Sequence, residues 1–293
     1  MNDEVARALP TTSQFVASIG PTPLVPIQIG ECRHPVWCML EFMNPSGSTK
    51  DRVAAHILLK ALREGTLRPG STVVEAGSTS IAMALVCAQL GVWFVAVMPE
   101  GVGNERAQLI HAYGGEVERV DKDAGMQHCI ERAGEVAREC DGFLPDQSGN
   151  PENANAHRFP TGREIVGQIP GGVVHGVVAG VGTGGTLVGV TRGLKDAGCA
   201  PEVYAAKPLR RLHHLGFPVG PSSGLNVAAA LQVAEDLGDE SAVVTVLPDR
   251  IERYFSTGLL EDDASAETTS GTEGSCRSED RGGTPPTHRP VMR

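Results

Sequence analysis

Residues 44–52, Asn-Pro-Ser-Gly-Ser-Thr-Lys-Asp-Arg, constrain this chain more than any other stretch. Pro45 and Gly47 break regular structure there, and the apolar run Val36-Trp37-Cys38-Met39-Leu40 before them reads as a buried strand. After them Val53, Ala54, Ile57, Leu58, Ala61 and Leu62 recur at helical spacing. The stretch is a strand, a tight turn and a helix, with Ser48 or Thr49 placed to cap the helix. Lys50 falls in the first helical turn, where the macrodipole disfavours a cation. A lysine held there and partly desolvated is pushed toward the free amine, the form that Schiff-base chemistry needs. A solvated surface lysine is the commoner outcome at a helix start, so the rest of the chain has to decide.

The pattern continues in the same rhythm. Strand-like runs fall at 36–41, 72–75, 92–98 and 116–120, and helix-like runs at 50–64, 79–90 and 103–113. This alternation predicts an α/β fold of parallel sheets flanked by crossover helices. A longer polar helix is expected over 124–140, and the turn-rich stretch 141–153 is a crossing between two lobes. A helix over 154–168, a strand over 173–179 and a helix over 186–196 follow. A strand near 202–206, a helix near 224–237 and a strand over 242–247 complete the order. Residues 1–35 read as turn-rich. Residues 261–293 carry almost no large apolar side chain and are expected to be disordered.

Composition narrows the function. A net charge of −10 over 293 residues, with no basic cluster, argues against a nucleic-acid surface. No apolar run reaches membrane length and no signal-peptide pattern opens the chain, so a soluble cytoplasmic protein is expected. The seven cysteines form no CxxC pair, which points to neither a metal site nor a disulfide framework. Cys38 and Cys87 sit in apolar stretches and read as buried small hydrophobes.

Three further turns carry chemistry. Gly180-Val181-Gly182-Thr183-Gly184-Gly185-Thr186 follows a strand and opens a helix. Closely spaced glycines there turn backbone N–H groups toward an anion, and the helix N-terminus adds its dipole: a phosphate cradle. Gly180, Gly182 and Gly185 also satisfy GxGxxG, a dinucleotide fingerprint, but the loop comes late and the next strand ends in Lys207 rather than an acid. That lysine keeps an NADP reading open. Glu75-Ala76-Gly77-Ser78-Thr79-Ser80 is a second strand-to-helix turn, able to offer N–H and O–H donors to a carboxylate. Gly220-Pro221-Ser222-Ser223-Gly224 is the third, before the helix containing Asn226, and read alone it is a helix cap, as the 75–80 turn would be. A lysine, a phosphate cradle and a carboxylate nest suit a cofactor with an aldehyde and a phosphate acting on an amino acid, which is pyridoxal 5′-phosphate.

The chain resembles the cysteine synthase and cystathionine β-synthase family of fold-type II pyridoxal-phosphate enzymes. The resemblance runs from Ile19-Gly20-Pro21-Thr22-Pro23-Leu24-Val25 through Asn44–Arg52, Val97-Met98-Pro99-Glu100, Asn150-Pro151…His157 and Thr161-Gly162-Arg163-Glu164-Ile165. It continues through Gly182–Thr186 and Ser222-Ser223-Gly224 to Leu247-Pro248-Asp249…Arg253-Tyr254. It implies a two-lobed fold, with residues 1–39 and 145–260 as the cofactor-binding lobe and 40–144 as the substrate-side lobe. It implies that Lys50 bonds the cofactor aldehyde and serves as general base, and that Gly182, Thr183, Gly184, Gly185 and Thr186 hold the phosphate. Ser78 falls where the family usually has an asparagine near the pyridine hydroxyl, and Ser222 where a hydroxyl meets the ring nitrogen. Gly77, Ser78, Thr79 and Gln147 are the candidates for the substrate carboxylate. The implied reaction is β-replacement on an O-acetylserine-like L-serine derivative with sulfide or another nucleophile. β-Elimination of cysteine is the competitor, since synthase and desulfhydrase share every residue named. A homodimer is implied as well.

Two departures stand against the family pattern. The turn after Glu75 is two residues short, lacking a hydroxyl pair before Gly77. Between Lys207 and the approach to Ser222 a block of the cofactor lobe is missing, so the large lobe is expected to be truncated. A truncated, catalytically impaired paralogue is the non-enzyme alternative that these departures raise.

Overall fold

The computed structural model describes residues 14–15, 18–28, 35–101, 104–123, 125–206, 218–238 and 241–257. Lys207, the junction that follows it and the 261–293 tail lie outside the described residues.

Two sheets carry the fold. The first combines β1 (Leu24–Ile27), β2 (Val36–Met39), β6 (Gly176–Gly180), β7 (Glu202–Ala206) and β8 (Val243–Val246) in the order β1-β2-β8-β6-β7. β1 runs antiparallel to β2, with Leu24 opposite Met39, and the other pairs are parallel. The second sheet is parallel, β3 (Thr72–Ala76), β4 (Trp93–Pro99) and β5 (Glu116–Val120) in that order. Helices α1 (Lys50–Glu64), α2 (Ser80–Leu90), α3 (Asn104–Ala112) and α4 (Gly125–Glu139) belong to the second sheet's part of the chain. Helices α5 (Glu152–Arg158), α6 (Pro160–Gln168), α7 (Gly185–Asp196) and α8 (Pro221–Leu237) follow.

Period-two alternation decides what each strand face covers. In the second sheet Val73, Phe94, Ala96 and Met98 pack on α1 and α2, whereas Val74, Ala76 and Val97 pack on Cys129, Ala133, Val136 and Ala137 of α4. In the first sheet Val36, Cys38, Val178 and Val243 face α8, while Met39, Val177, Ala179, Val244 and Val246 face Ile165 of α6 and Leu187, Val190 and Leu194 of α7. Both sheets are thus covered on both faces. Cys38 and Cys87 are fully buried, as their apolar surroundings foretold.

Three local expectations shift. The region before residue 36 contains a strand, β1, which the turn-rich reading missed. Pro26 points outward there, at a sheet edge where its missing N–H costs nothing. The helix expected over 154–168 is two, α5 and α6, broken at Phe159 because Pro160 supplies no N–H and opens a new helix at its first position. Thr49 stands at the N-cap of α1 in helical geometry (φ −55°, ψ −21°), so its side chain makes no capping bond. The Lys50 N–H instead donates to Ser48 Oγ at 3.2 Å.

Candidate active site

The carboxyl ends of β3, β6, β7 and β8 open on one cleft of about 490 Å³, a volume typical of small-ligand sites. Its wall includes Lys50, Gly77, Ser78, Gln147, Gly182, Thr183, Gly184, Gly185, Thr186 and Ser222. Residues from four separate turns, spread over more than half the chain, meet there.

Lys50 is held by its own turn. The Thr49 N–H donates to Pro248 O at 2.8 Å, and Arg253 donates to Ser46 O at 2.6 Å, so the 247–253 segment clamps the lysine turn. Burial lowers the Lys50 pKa from the ordinary lysine value, against the pull of the carboxyls of Glu75 and Asp249. Burial likewise lifts Glu75 to about 7 and raises Asp249. Behind the turn, Arg52 donates to Glu41 Oε1 at 2.8 Å and to Glu164 Oε1 and Oε2 at 2.7 Å. Burial would raise the Glu41 pKa, but the Arg52 guanidinium overrides it and keeps the carboxylate charged. This buried lattice anchors the start of α1 to α6.

The glycine loop delivers the second group. Gly184 is the N-cap of α7 at φ +79°, a left-handed geometry that suits glycine. The N–H groups of Gly182, Thr183 and Gly184 have no acceptor among the described residues, and those of α7's first turn are open as at any helix start. The loop is tied in place from behind: the Gly180 N–H donates to Asn226 Oδ1 at 2.6 Å, and Asn226 Nδ2 donates to Val246 O at 2.7 Å. A row of unspent donors on a helix N-terminus fits a phosphate dianion.

At the third turn Gly77 and Ser78 line the cleft, but Thr79 does not. Thr79 is fully buried, and its hydroxyl donates to Gln147 Oε1. Its side chain therefore acts on Gln147, which lines the cleft in its place. Of the two serines opening α8, Ser222 lines the cleft and Ser223 is fully buried, its Oγ without a partner among the described residues. Sequence reasoning missed several lining residues, among them Met126, Ile130, Arg106 and Tyr254. The Arg106 guanidinium lies 5.7 Å over the Tyr254 ring, and Tyr254 donates to Asp249 Oδ2 at 2.6 Å. Tyr254 stood in the family-like Arg253-Tyr254 pair with no role assigned, and no local pattern singles out the other three, because α3 and α4 reach the cleft only through folding.

A buried, deprotonation-prone lysine facing an anion cradle across a cleft of this size fits pyridoxal phosphate, and the lineage of the chain agrees. Residues 16–211 match the family model described as pyridoxal-phosphate dependent enzyme, and the chain belongs to that family. Its cofactor is pyridoxal 5′-phosphate; the dinucleotide reading of the glycine loop falls with that assignment.

Among curated relatives, cysteine synthase of Staphylococcus aureus (strain N315) is 36% identical over 84% of this chain and 96% of its own. Cysteine synthase B of Escherichia coli (strain K12) is 34% identical over 85% and 96%. Among solved structures, O-ureido-L-serine synthase superposes with a TM-score of 0.78 at 30% identity, covering 86% of this chain and 98% of that one. A hydrogen sulfide-producing enzyme from Fusobacterium nucleatum gives 0.77 at 29%, covering 85% and 91%. The Staphylococcus match spans 297 aligned positions but only 84% of 293 residues here, about 246, so about 50 positions of the relative face a gap in this chain.

Proposed function

We propose that the protein catalyses pyridoxal-phosphate-dependent β-replacement on an O-acetylserine-like derivative of L-serine, with sulfide or another small nucleophile. The observation that carries this reading is the meeting of Lys50, the 182–186 loop and the Gly77-Ser78 turn on one cleft. Their company with cysteine synthase relatives supports the substrate class. When bound, the cofactor supplies an aldehyde for the substrate amine and a ring that draws electrons from Cα. Lys50 would hold the cofactor through that aldehyde, and its neutral Nζ would take the substrate Cα proton as general base. The depressed pKa of Lys50 supports this, since an ammonium could not accept a proton. Gly182–Thr186 would hold the phosphate, Ser222 the ring nitrogen and Ser78 the ring hydroxyl, all of them residues of the cleft wall. Gly77, Ser78 and Gln147 bind the substrate carboxylate, with Thr79 fixing the Gln147 amide from behind.

We read 1–39 with 145–260 as the cofactor-binding lobe and 40–144 as the substrate-side lobe. The membership of β1, β2 and β6–β8 in one sheet and β3–β5 in the other supports that division. β-Elimination of cysteine is the second reading, favoured by the structural kinship with a hydrogen sulfide-producing enzyme. Homodimeric assembly and a cytoplasmic location complete the proposal, resting on the family resemblance and the acidic composition.

The test is spectroscopic. Purified protein with pyridoxal phosphate should show a Schiff-base absorbance band, and borohydride reduction followed by peptide mapping should place the adduct on Lys50. O-Acetylserine or cysteine should then shift the band before reduction, and which of the two turns over separates synthase from desulfhydrase. An adduct spread over surface lysines would sink the proposal in favour of the impaired paralogue.

A further inference from the structure

Behind the glycine loop, α5 sets two side chains one helical turn apart against the two threonines of the cradle. Asn153 Nδ2 donates to Thr183 Oγ1 at 2.8 Å and to Gln147 O at 2.8 Å. One turn on, His157 Nε2 lies 3.3 Å from Thr186 Oγ1 and Nδ1 lies 3.1 Å from Thr161 Oγ1. Both residues are buried, Asn153 4% exposed and His157 fully enclosed.

The polarity of the first contact follows from its partners. Gln147 O can only accept, so the Asn153 atom facing it is the amide nitrogen, and the same nitrogen faces Thr183. Thr183 Oγ1 is therefore an acceptor on that side. A hydroxyl has one proton, so that of Thr183 is left for a partner on the cleft side, where Thr183 lines the wall. His157 can repeat the arrangement at Thr186. Burial holds the ring neutral, with a pKa near 3, so a single ring nitrogen carries hydrogen. With that hydrogen on Nε2, Thr161 donates to Nδ1 and the Thr186 proton is also left for the cleft.

The close approach this needs is built into α7. A Cβ on Gly185 would sit 2.2 Å from Asn153 Oδ1, and one on Gly189 would sit 2.7 Å from the His157 Cβ. Among the described residues Asn153 Oδ1 is buried without a partner, so the amide is oriented by the two bonds of its nitrogen.

We propose that Asn153 and His157 are positioning residues for the cofactor phosphate: each donates to one cradle hydroxyl, so that the Thr183 and Thr186 protons both point at the anion. Asn153 also carries the carboxylate side, because the Gln147 backbone it holds bears the amide that Thr79 fixes. The proposal rests on the reading of 182–186 as the phosphate site.

The test is equilibrium binding of two probes, pyridoxal 5′-phosphate and pyridoxal, to the full chain freed of cofactor. Wild type should bind the phosphate form far more tightly. Asn153→Leu, neutral and of the same branched skeleton, should weaken that form about ten- to hundredfold, as for loss of a charge-assisted hydrogen bond, while pyridoxal changes less than about threefold. Asn153→Asp, which can only accept, should weaken it at least as much and move the ³¹P resonance of the bound phosphate. His157→Gln keeps a donor and should bind more tightly than His157→Leu. Equal losses for both probes, or a loss in Asn153→Asp alone, would overturn the proposal, the first pointing to general disruption and the second to charge. If wild type fails to distinguish the probes, the phosphate reading of 182–186 is wrong, and the proposal falls with it.

Discussion

Gly189→Ala gives the sharpest test of how α7 is seated. In a helix interior this change ordinarily stabilises by about 1 kcal/mol, because alanine loses less backbone entropy than glycine. Here the added Cβ would lie 2.2 Å from Ala154 O and 2.7 Å from the His157 Cβ, whereas ordinary contacts begin near 3.4 Å. The first is a backbone atom of α5 and cannot rotate aside, so α5 and α7 must separate by roughly 1 Å. Overpacking of that kind costs about 1–3 kcal/mol and occasionally more. Set against the propensity gain, the net expectation is a loss of up to about 2 kcal/mol, or a Tm lowered by up to roughly 8 °C for a domain of this size. Gly134→Ala is the control: Gly134 sits mid-helix in α4, and its Cβ would find only Arg138 Nη1, at 3.6 Å. It should be neutral or stabilising by up to about 1 kcal/mol. Thermal melts of both variants beside wild type decide the matter. A Gly189→Ala protein as stable as Gly134→Ala would refute the close α5–α7 packing on which the cradle geometry depends.

Two further outcomes follow from buried charge. Glu75 has its pKa raised by burial from 4.5 to about 7, so between those values the native state holds a proton that the unfolded chain has lost. Stability should therefore fall by up to roughly 3 kcal/mol as pH rises from about 4.5 to 7, and Glu75→Gln should flatten that slope in urea unfolding at pH 5 and pH 8. An unchanged slope would show that Glu75 is ionised in the fold. Arg52→Lys should destabilise by about 3–5 kcal/mol, because an ammonium cannot reproduce the fork to Glu41 and Glu164 and leaves the Glu41 carboxylate buried and underpaired. A loss under about 1 kcal/mol in the same unfolding assay would count against that lattice as the anchor of α1.

Most of the architecture was legible along the chain because its signals are local. Val73, Phe94 and Val177 sit in short apolar runs that alternate with helices, which predicts parallel strands covered on both faces, and the glycines after β6 mark a turn suited to an anion. The exceptions have local causes that a periodicity reading smooths over. Pro160 splits one expected helix into α5 and α6, and four residues of β1 are too few to stand out from turns. At the site, Lys50 and the 182–186 loop were nameable from their turns, whereas Gln147 and the roles of Ser78 and Ser222 came only with the family resemblance. Thr79 was nameable too, but which way its hydroxyl faces was not.

The amino-acid sequence alone determined the α/β order, the lysine turn and the glycine turn, each of which depends on neighbours within a dozen residues, and the cofactor class, which follows from several such turns taken together. Only the tertiary structure decided which groups share the cleft and which stand behind it. It brought Arg106, Met126 and Tyr254 into the wall, turned Thr79 onto Gln147, and set Asn153 and His157 against the two cradle threonines. Those relations join residues tens to hundreds of positions apart. Hydrogen-bond direction and burial at such contacts are set by how helices and sheets pack, and no local pattern encodes that.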